Sequence, residues 1–382
     1  MKRIVLILWV ILLTNAVTVL TVFAQSNSLS TDLMSESAIL MDAKSGKILY
    51  EKNTEHQMYP ASITKIATAI YAIENGDLED IVTVSRKARE AEGTRVYLEE
   101  GEQVPLKKLI QGLLINSGND AAVAIAEHLE GNVETFAFKM NEYLTENIGI
   151  TDTNFENPHG LFDPNHVTTA ADMAKITQYA MDNKEFRKIF GTVKLKWEGE
   201  SWNTTLLNHH KLMKEIPYEG VTGGKTGFVN QSGHTLVTTA KRGDLYLIAV
   251  ILKAPSSTAA INDTIQLLDY GYDNYKGFKL TKGSTFHTKQ GKNYELTKNL
   301  YYTLLNGDTL KGRVTGKGFL QIINQEKEVL TSIQLKEEGA ADDAESEKHS
   351  LNKVSKLYIG FLIAIPLILG LTVRFFTRFR ES

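Results

Sequence analysis

The stretch GHTLVTTAKRGDLYLIAVILKA, residues 233–254, decides the fold. Two runs of β-branched and apolar residues flank Arg242-Gly243-Asp244, which predicts a hairpin of two strands. A helical pattern, INDTIQLLDYGYDNY (261–275), follows it, and a third strand pattern, GVTGGKTGFVN (220–230), precedes it. Near the other end, SAILMDAKSGKILYEKN (37–53) alternates as two strands about the turn Lys44-Ser45-Gly46-Lys47. Between these lie five segments with apolar residues at three-to-four spacing. They are ITKIATAIYAI (63–73), PLKKLIQGLLI (105–115), AAVAIAEHL (121–129), ETFAFKMNEYLTENI (134–148) and TAADMAKITQYAM (169–181). Strands, many helices, strands, then a helix imply an antiparallel sheet whose first and last strands meet. Helices pack on that sheet and form a helical subdomain, an α+β arrangement.

The chain has 382 residues, no cysteine and a formal net charge of -3. That length holds a large core domain and a smaller one. The charge gives no footprint for nucleic acid, and the missing cysteines exclude disulfides, thiolate metal sites and thiol nucleophiles. Residues 1–24 carry Lys2 and Arg3, a long apolar run and Val22-Phe23-Ala24, the pattern of a signal peptide cleaved after Ala24. The competing reading is an uncleaved anchor, and either one exports the chain. A linker (25–36) leads into the body at 37–278. From 279 to 335 short alternating runs with Asn-Gly and Gly-Lys turns predict a small all-β domain. Residues 336–356 are acidic and small, a tether. Residues 357–373 carry no charge and reach about the minimum length for a bilayer-spanning helix. Arg374, Arg378 and Arg380 then place the 374–382 tail on the cytoplasmic side. An interfacial helix would need a polar face, and this run has none.

Three elements carry chemistry. Ser62 and Lys65 sit in YPASITKIATA, after a proline suited to a first helical turn. With a helix starting near Ala61 the two share a face. Burial among Ile63, Ile66, Ala67 and Ala69 favours a neutral amine able to take the serine proton. The spacing alone is weak, since Ser350 and Lys353 repeat it in the tether. Ser117 and Asn119 lie at a break between two helical patterns, where Asn119 or Asp120 can equally serve as a helix cap. Lys225-Thr226-Gly227 opens a strand, offering a cation and close backbone approach. A phosphate loop is excluded there because Glu219 stands where glycine is required and a strand follows. Adjacent His209 and His210 cannot share a helix face and His159 lies in a Pro-Gly loop, so no metal site is expected.

The order Ser-x-x-Lys, Ser-x-Asn, Lys-Thr-Gly belongs to penicillin-binding proteins and class A β-lactamases. PASITKIATA, LINSGNDAA, NFENPHGL and GGKTGF together resemble the low-molecular-mass penicillin-binding proteins, the serine D-alanyl-D-alanine carboxypeptidases. TRVYLEEGEQVP and LKWEGESWNTTLLNHHKLM resemble members from sporulating Gram-positive bacteria. The resemblance implies a transpeptidase-like catalytic domain over 37–278 that removes the terminal D-alanine from peptidoglycan stem pentapeptides. It implies Ser62 as nucleophile, Lys65 as base and Ser117 as proton relay. Asn119, Lys225, Thr226 and Gly227 would bind substrate, and the backbone N–H groups of Ser62 and Phe228 would form the oxyanion hole. No cofactor is implied; the partners are the stem peptide, β-lactam antibiotics and, through the C-terminal helix, the lipid bilayer. Two departures stand out. APSSTAAINDTIQLLDYGY lacks the arginine some relatives use for the terminal carboxylate. The tail also looks long enough to cross the membrane, where family anchors commonly lie on it. A β-lactamase is the nearest rival, but no Glu-x-x-Leu-Asn stretch lies between Asn119 and Lys225. A non-catalytic wall-binding protein on the same fold is the other.

Overall fold

The computed structural model describes residues 32–288, 291–325 and 327–337. The expected signal peptide, most of the linker and tether, the membrane helix and the basic tail lie outside them. Among the described residues no helix is long and apolar enough to cross a membrane.

The chain opens with β1 (Ser37–Asp42) and β2 (Ile48–Lys52), then a 3₁₀ turn (Ala61–Thr64) that runs into α1 (Lys65–Asn75). The helical part follows. It comprises β3 (Ile81–Thr83), α2 (Arg86–Arg89), β4 (Gln103–Pro105), α3 (Leu106–Ile115), α4 (Asn119–Glu130), α5 (Val133–Ile148), α6 (Ala170–Ala180) and α7 (Lys184–Phe190). A hairpin, β5 (Lys194–Glu198) and β6 (Asn203–Leu207), precedes β7 (Val221–Val229), β8 (Gly233–Arg242), β9 (Leu245–Ala254) and α8 (Ser257–Asn274). Ser256, Thr169 and Asn132 cap their helices by accepting from Ala259, Asp172 and Thr135 N–H groups, the polar starts the sequence supplies.

The central sheet has the order β2-β1-β9-β8-β7 and its pairings are antiparallel, so the first strand does meet the last. Strand β9 reads LYLIAVIL with little polar alternation because both of its faces are covered. Ile248, Val250 and Leu252 pack with Ile39, Ile63, Ile66 and Val237 under the helical part. Leu247, Ala249 and Ile251 pack with Leu40, Leu236, Leu267 and Leu268 under α8. The two-residue side-chain period of a strand sorts one hydrophobic run into two cores. Strand β7 is left at the sheet edge, facing the 3₁₀ turn.

The described residues fall into two compact units. The first runs to Leu280 and takes in Asn299–Thr309, because β10 (Tyr275–Leu280) pairs with a later strand, Leu300–Leu305. The second, formed by Thr281–Lys298 and the chain from Leu310, consists of short antiparallel strands. Thr285–His287, Asn293–Glu295 and Lys336–Glu337 make one sheet, and Lys311–Val314, Phe319–Ile323 and Val329–Gln334 the other.

Candidate active site

The site lies within the first unit, where the 3₁₀ turn, the start of α4, β7 and the 154–162 loop converge. Residues three apart eclipse in a 3₁₀ turn, so Ser62 and Lys65 stand closer than on a regular α-helix. Lys65 Nζ lies 2.9 Å from Ser62 Oγ. The amine is fully buried, and its other two neighbours are Asn119 Oδ1 at 2.7 Å and the His159 carbonyl at 2.7 Å. Asn119 is itself fixed by donating from Nδ2 to the Glu92 carbonyl at 2.6 Å. Burial holds the Lys65 ammonium well below the usual lysine range; the charge of Lys225 adds to this and Asp120 opposes it.

Lys225, on β7, is also buried and donates to Ser117 Oγ at 3.0 Å and to the Thr226 carbonyl at 2.9 Å. Desolvation pushes its pKa down to about 7. Because Ser117 Oγ accepts from Lys225, its own hydrogen is left to point elsewhere. Two non-glycine residues here adopt left-handed backbone, Ala61 (φ 51°) and Ser117 (φ 61°). Such strain costs on the order of 1–3 kcal/mol each and gathers at functional sites.

Gly227 lets β7 close on the serine. A Cβ there would lie 2.4 Å from Thr235 Oγ1, 2.8 Å from Ser62 N and 3.0 Å from Pro60 O. Thr235 ties the same point by donating from Oγ1 to Pro60 O at 2.8 Å. The backbone at Gly227 and Phe228 therefore runs beside the Ser62 amide, while the Phe228 side chain is exposed and rests on His234. Thr226 and Gly227 line a small pocket with His209, Lys211 and His234. A larger cavity of about 420 Å³, among Lys44, Asp182, Arg187 and Lys241, contains none of these site residues.

The structure thus gathers Ser62, Lys65, Ser117, Asn119, Lys225 and Gly227. Asp120, the alternative cap, instead accepts from the Val96, Leu98 and Ala121 N–H groups and pins the 92–98 segment against α4. Sequence reasoning missed the His159 carbonyl, a main-chain acceptor with no side-chain signature; its trace is Gly160. A Cβ on Gly160 would sit 1.9 Å from the Ala61 carbonyl. His166 and His210, both buried beside the site, likewise carry no sequence signal of a place there. Among the described residues no cluster of side chains suits a metal ion.

This sheet, with a serine-and-lysine turn held against its edge strand, is the architecture of the penicillin-binding proteins. Penicillin-binding protein 5 from Haemophilus influenzae superposes with a TM-score of 0.69 at 26% identity, covering 80% of this chain and 97% of that one. Penicillin-binding protein 6B from Escherichia coli does so with 0.68 at 26% identity, covering 82% and 97%. Within that class the chain belongs to the D-alanyl-D-alanine carboxypeptidase family, peptidase S11, whose model matches residues 22–256. D-alanyl-D-alanine carboxypeptidase DacF from Bacillus subtilis is 30% identical over 95% of this chain and 97% of its own length. The protein is accordingly a low-molecular-mass penicillin-binding protein, a serine-type D-Ala-D-Ala carboxypeptidase acting on the cell wall outside the cytoplasm.

Proposed function

We propose that Ser62 is the nucleophile of this carboxypeptidase and Lys65 its base, on the strength of one observation: the three neighbours of the Lys65 amine. Two of them, the Asn119 Oδ1 and the His159 carbonyl, only accept hydrogen bonds. A neutral amine has two N–H groups for them and one lone pair, which then faces Ser62 Oγ. Burial disfavours the charged form, and the two acceptors then leave the lone pair of the neutral amine aimed at the proton to be removed.

Ser62 Oγ attacks the carbonyl carbon between the two D-alanines as its proton passes to Lys65 Nζ. The oxyanion is received by the Ser62 and Phe228 backbone N–H groups, stabilisation that exists only as charge develops. The C–N bond then breaks, and Ser117 delivers the proton to the departing D-alanine nitrogen. Lys225 and Thr226 hold the terminal carboxylate, a cation beside a hydroxyl on the edge of β7. Asn119 serves twice, fixing Lys65 and meeting a stem-peptide amide. Water next attacks the ester, with Lys65 again as base, and a tetrapeptide leaves.

A β-lactam acylates the same serine, and the absence of a Glu-x-x-Leu-Asn stretch before Lys225 predicts slow release. The test is D-alanine release from a pentapeptide by the wild type and by Ser62→Ala. Release unchanged in the variant removes the assignment, and rapid penicillin turnover by the wild type replaces it with a β-lactamase. We also propose that residues 357–373 span the bilayer. The chain lacks cysteine, so a cysteine placed at 378 can be labelled selectively; labelling from outside intact cells refutes the spanning topology.

A further inference from the structure

His166 is fully buried and takes no part in the steps above. Its Nδ1 accepts from the Glu156 N–H at 3.0 Å, so in the neutral ring the hydrogen resides on Nε2. That N–H faces Thr64 Oγ1 at 2.8 Å, and Thr64 in turn donates to the Ala61 carbonyl at 2.8 Å. One imidazole thus joins the 154–162 loop to the 3₁₀ turn that carries Ser62. The loop's other ties on that side are Thr68 Oγ1 donating to the Pro158 carbonyl at 2.7 Å and Lys65 itself on His159 O. The ring also packs on Phe155, with centroids 5.1 Å apart.

We propose that His166 is a positioning residue for acylation: it fastens the loop to the Ser62 turn, seating the His159 carbonyl on Lys65 and keeping water from the amine. The proposal rests on Lys65 being the base. Burial pushes the pKa of His166 down to about 4, with Asp163 opposing and Lys65 adding, so the ring is neutral wherever the enzyme works. Lys65 faces Lys225 from β7, Asp120 from α4, and the neutral imidazoles of His159 and His209. Those charges stay in place when the clamp is cut. What changes is desolvation, the largest cause of the depressed Lys65 pKa. Water admitted to the amine restores its proton, which outweighs the loss of one carbonyl partner.

The test compares His166→Phe, which keeps the ring on Phe155 and drops both hydrogen bonds, with His166→Gln, which keeps one acceptor and one donor. Acylation by a fluorescent penicillin is followed from about pH 5.5 to 9.5 beside thermal melts. His166→Phe is expected to acylate about tenfold more slowly or worse at pH 7, a sub-ångström misplacement effect. Its ascending limb moves to higher pH, and the deficit narrows to about threefold or less at the alkaline end. His166→Gln recovers most of the rate. A deficit equal at every pH, no deficit, or a glutamine variant as slow as phenylalanine overturns the proposal. Should His166→Phe not fold, Thr64→Val cuts the same bridge from the other side, with the same expectations. A wild type with no ascending limb, or with its adduct away from Ser62, defeats the Lys65 assignment itself. A normal wild-type limb left unmoved in the variants refutes only the role of His166.

Discussion

Gly227→Ala is the most informative single change, because its consequences can be worked out atom by atom. The new methyl meets Thr235 Oγ1 at 2.4 Å and two backbone atoms, Ser62 N at 2.8 Å and Pro60 O at 3.0 Å. Contacts under 3 Å to backbone cannot be relieved by a side-chain rotation, so β7 must retreat from the 3₁₀ turn. Overpacking of this kind costs about 1–3 kcal/mol. Losing the Thr235–Pro60 hydrogen bond adds about 1 kcal/mol. For a domain this large roughly 2–4 kcal/mol lowers the melting temperature by about 5–15 °C. The catalytic loss should exceed that, since retreat of β7 parts the Ser62 and Phe228 amides, and one oxyanion donor is worth about 10²–10³ in rate. Acylation by a fluorescent penicillin, measured below the melting transition, reads the second effect apart from the first. Gly227→Ala/Thr235→Ala removes the shortest contact but leaves the one on Ser62 N. Acylation should therefore stay low in the double variant even where melting recovers. Acylation within threefold of wild type in Gly227→Ala would refute the close approach of β7 to the serine.

Three further expectations follow from the charges and hydroxyls. The kcat/KM for a pentapeptide should be bell-shaped: its ascending limb is Lys65 losing a proton below the ordinary lysine range, and its descending limb lies near pH 7, where Lys225 loses the cation that meets the carboxylate. A profile flat between pH 6 and 9 counts against both roles. Lys225→Met should be more stable than wild type at pH 6, with an advantage that shrinks as pH rises. A folded-state pKa near 7 against 10.5 means the buried cation costs roughly 5 kcal/mol below pH 7, less the hydrogen bonds to Ser117 and Thr226, and this cost fades towards pH 10. Urea midpoints at several pH values check the sign, and an advantage growing with pH contradicts it. Ser117→Ala should slow D-alanine release about 10²–10⁴-fold, and near-normal release in a steady-state assay would remove the relay.

The antiparallel sheet was open to sequence reading because β8 and β9 carry long β-branched runs about a tight turn. The six longer helices among the described residues, α1, α3, α4, α5, α6 and α8, showed themselves through their apolar spacing. The short α2 and α7 and the β3–β4 and β5–β6 pairings did not, since three to seven residues are too few for a period to declare itself. Trp197 of β5 is among the largest fully buried side chains, yet a lone tryptophan in KLKWE gives no address. Strand Leu300–Leu305 alternates like its neighbours, and nothing in its own residues says that it returns to Tyr275–Leu280. In the site, Ser62 and Lys65 could be paired from spacing, but a regular helix was expected where a 3₁₀ turn with a left-handed Ala61 stands. The third neighbour of Lys65 is a peptide carbonyl, set by the path of a loop and by the space left at Gly160. Main-chain groups positioned by tertiary contact leave only such glycine traces in a sequence.

Trypsin separates the side chains that a penicillin could acylate. Residues 53–65 form one tryptic peptide, NTEHQMYPASITK, whose only serine is Ser62. After brief reaction with a penicillin and digestion, mass spectrometry should find a single adduct on this peptide, absent from Ser62→Ala. An adduct on any other peptide, or one that persists on 53–65 in Ser62→Ala, contradicts the assignment.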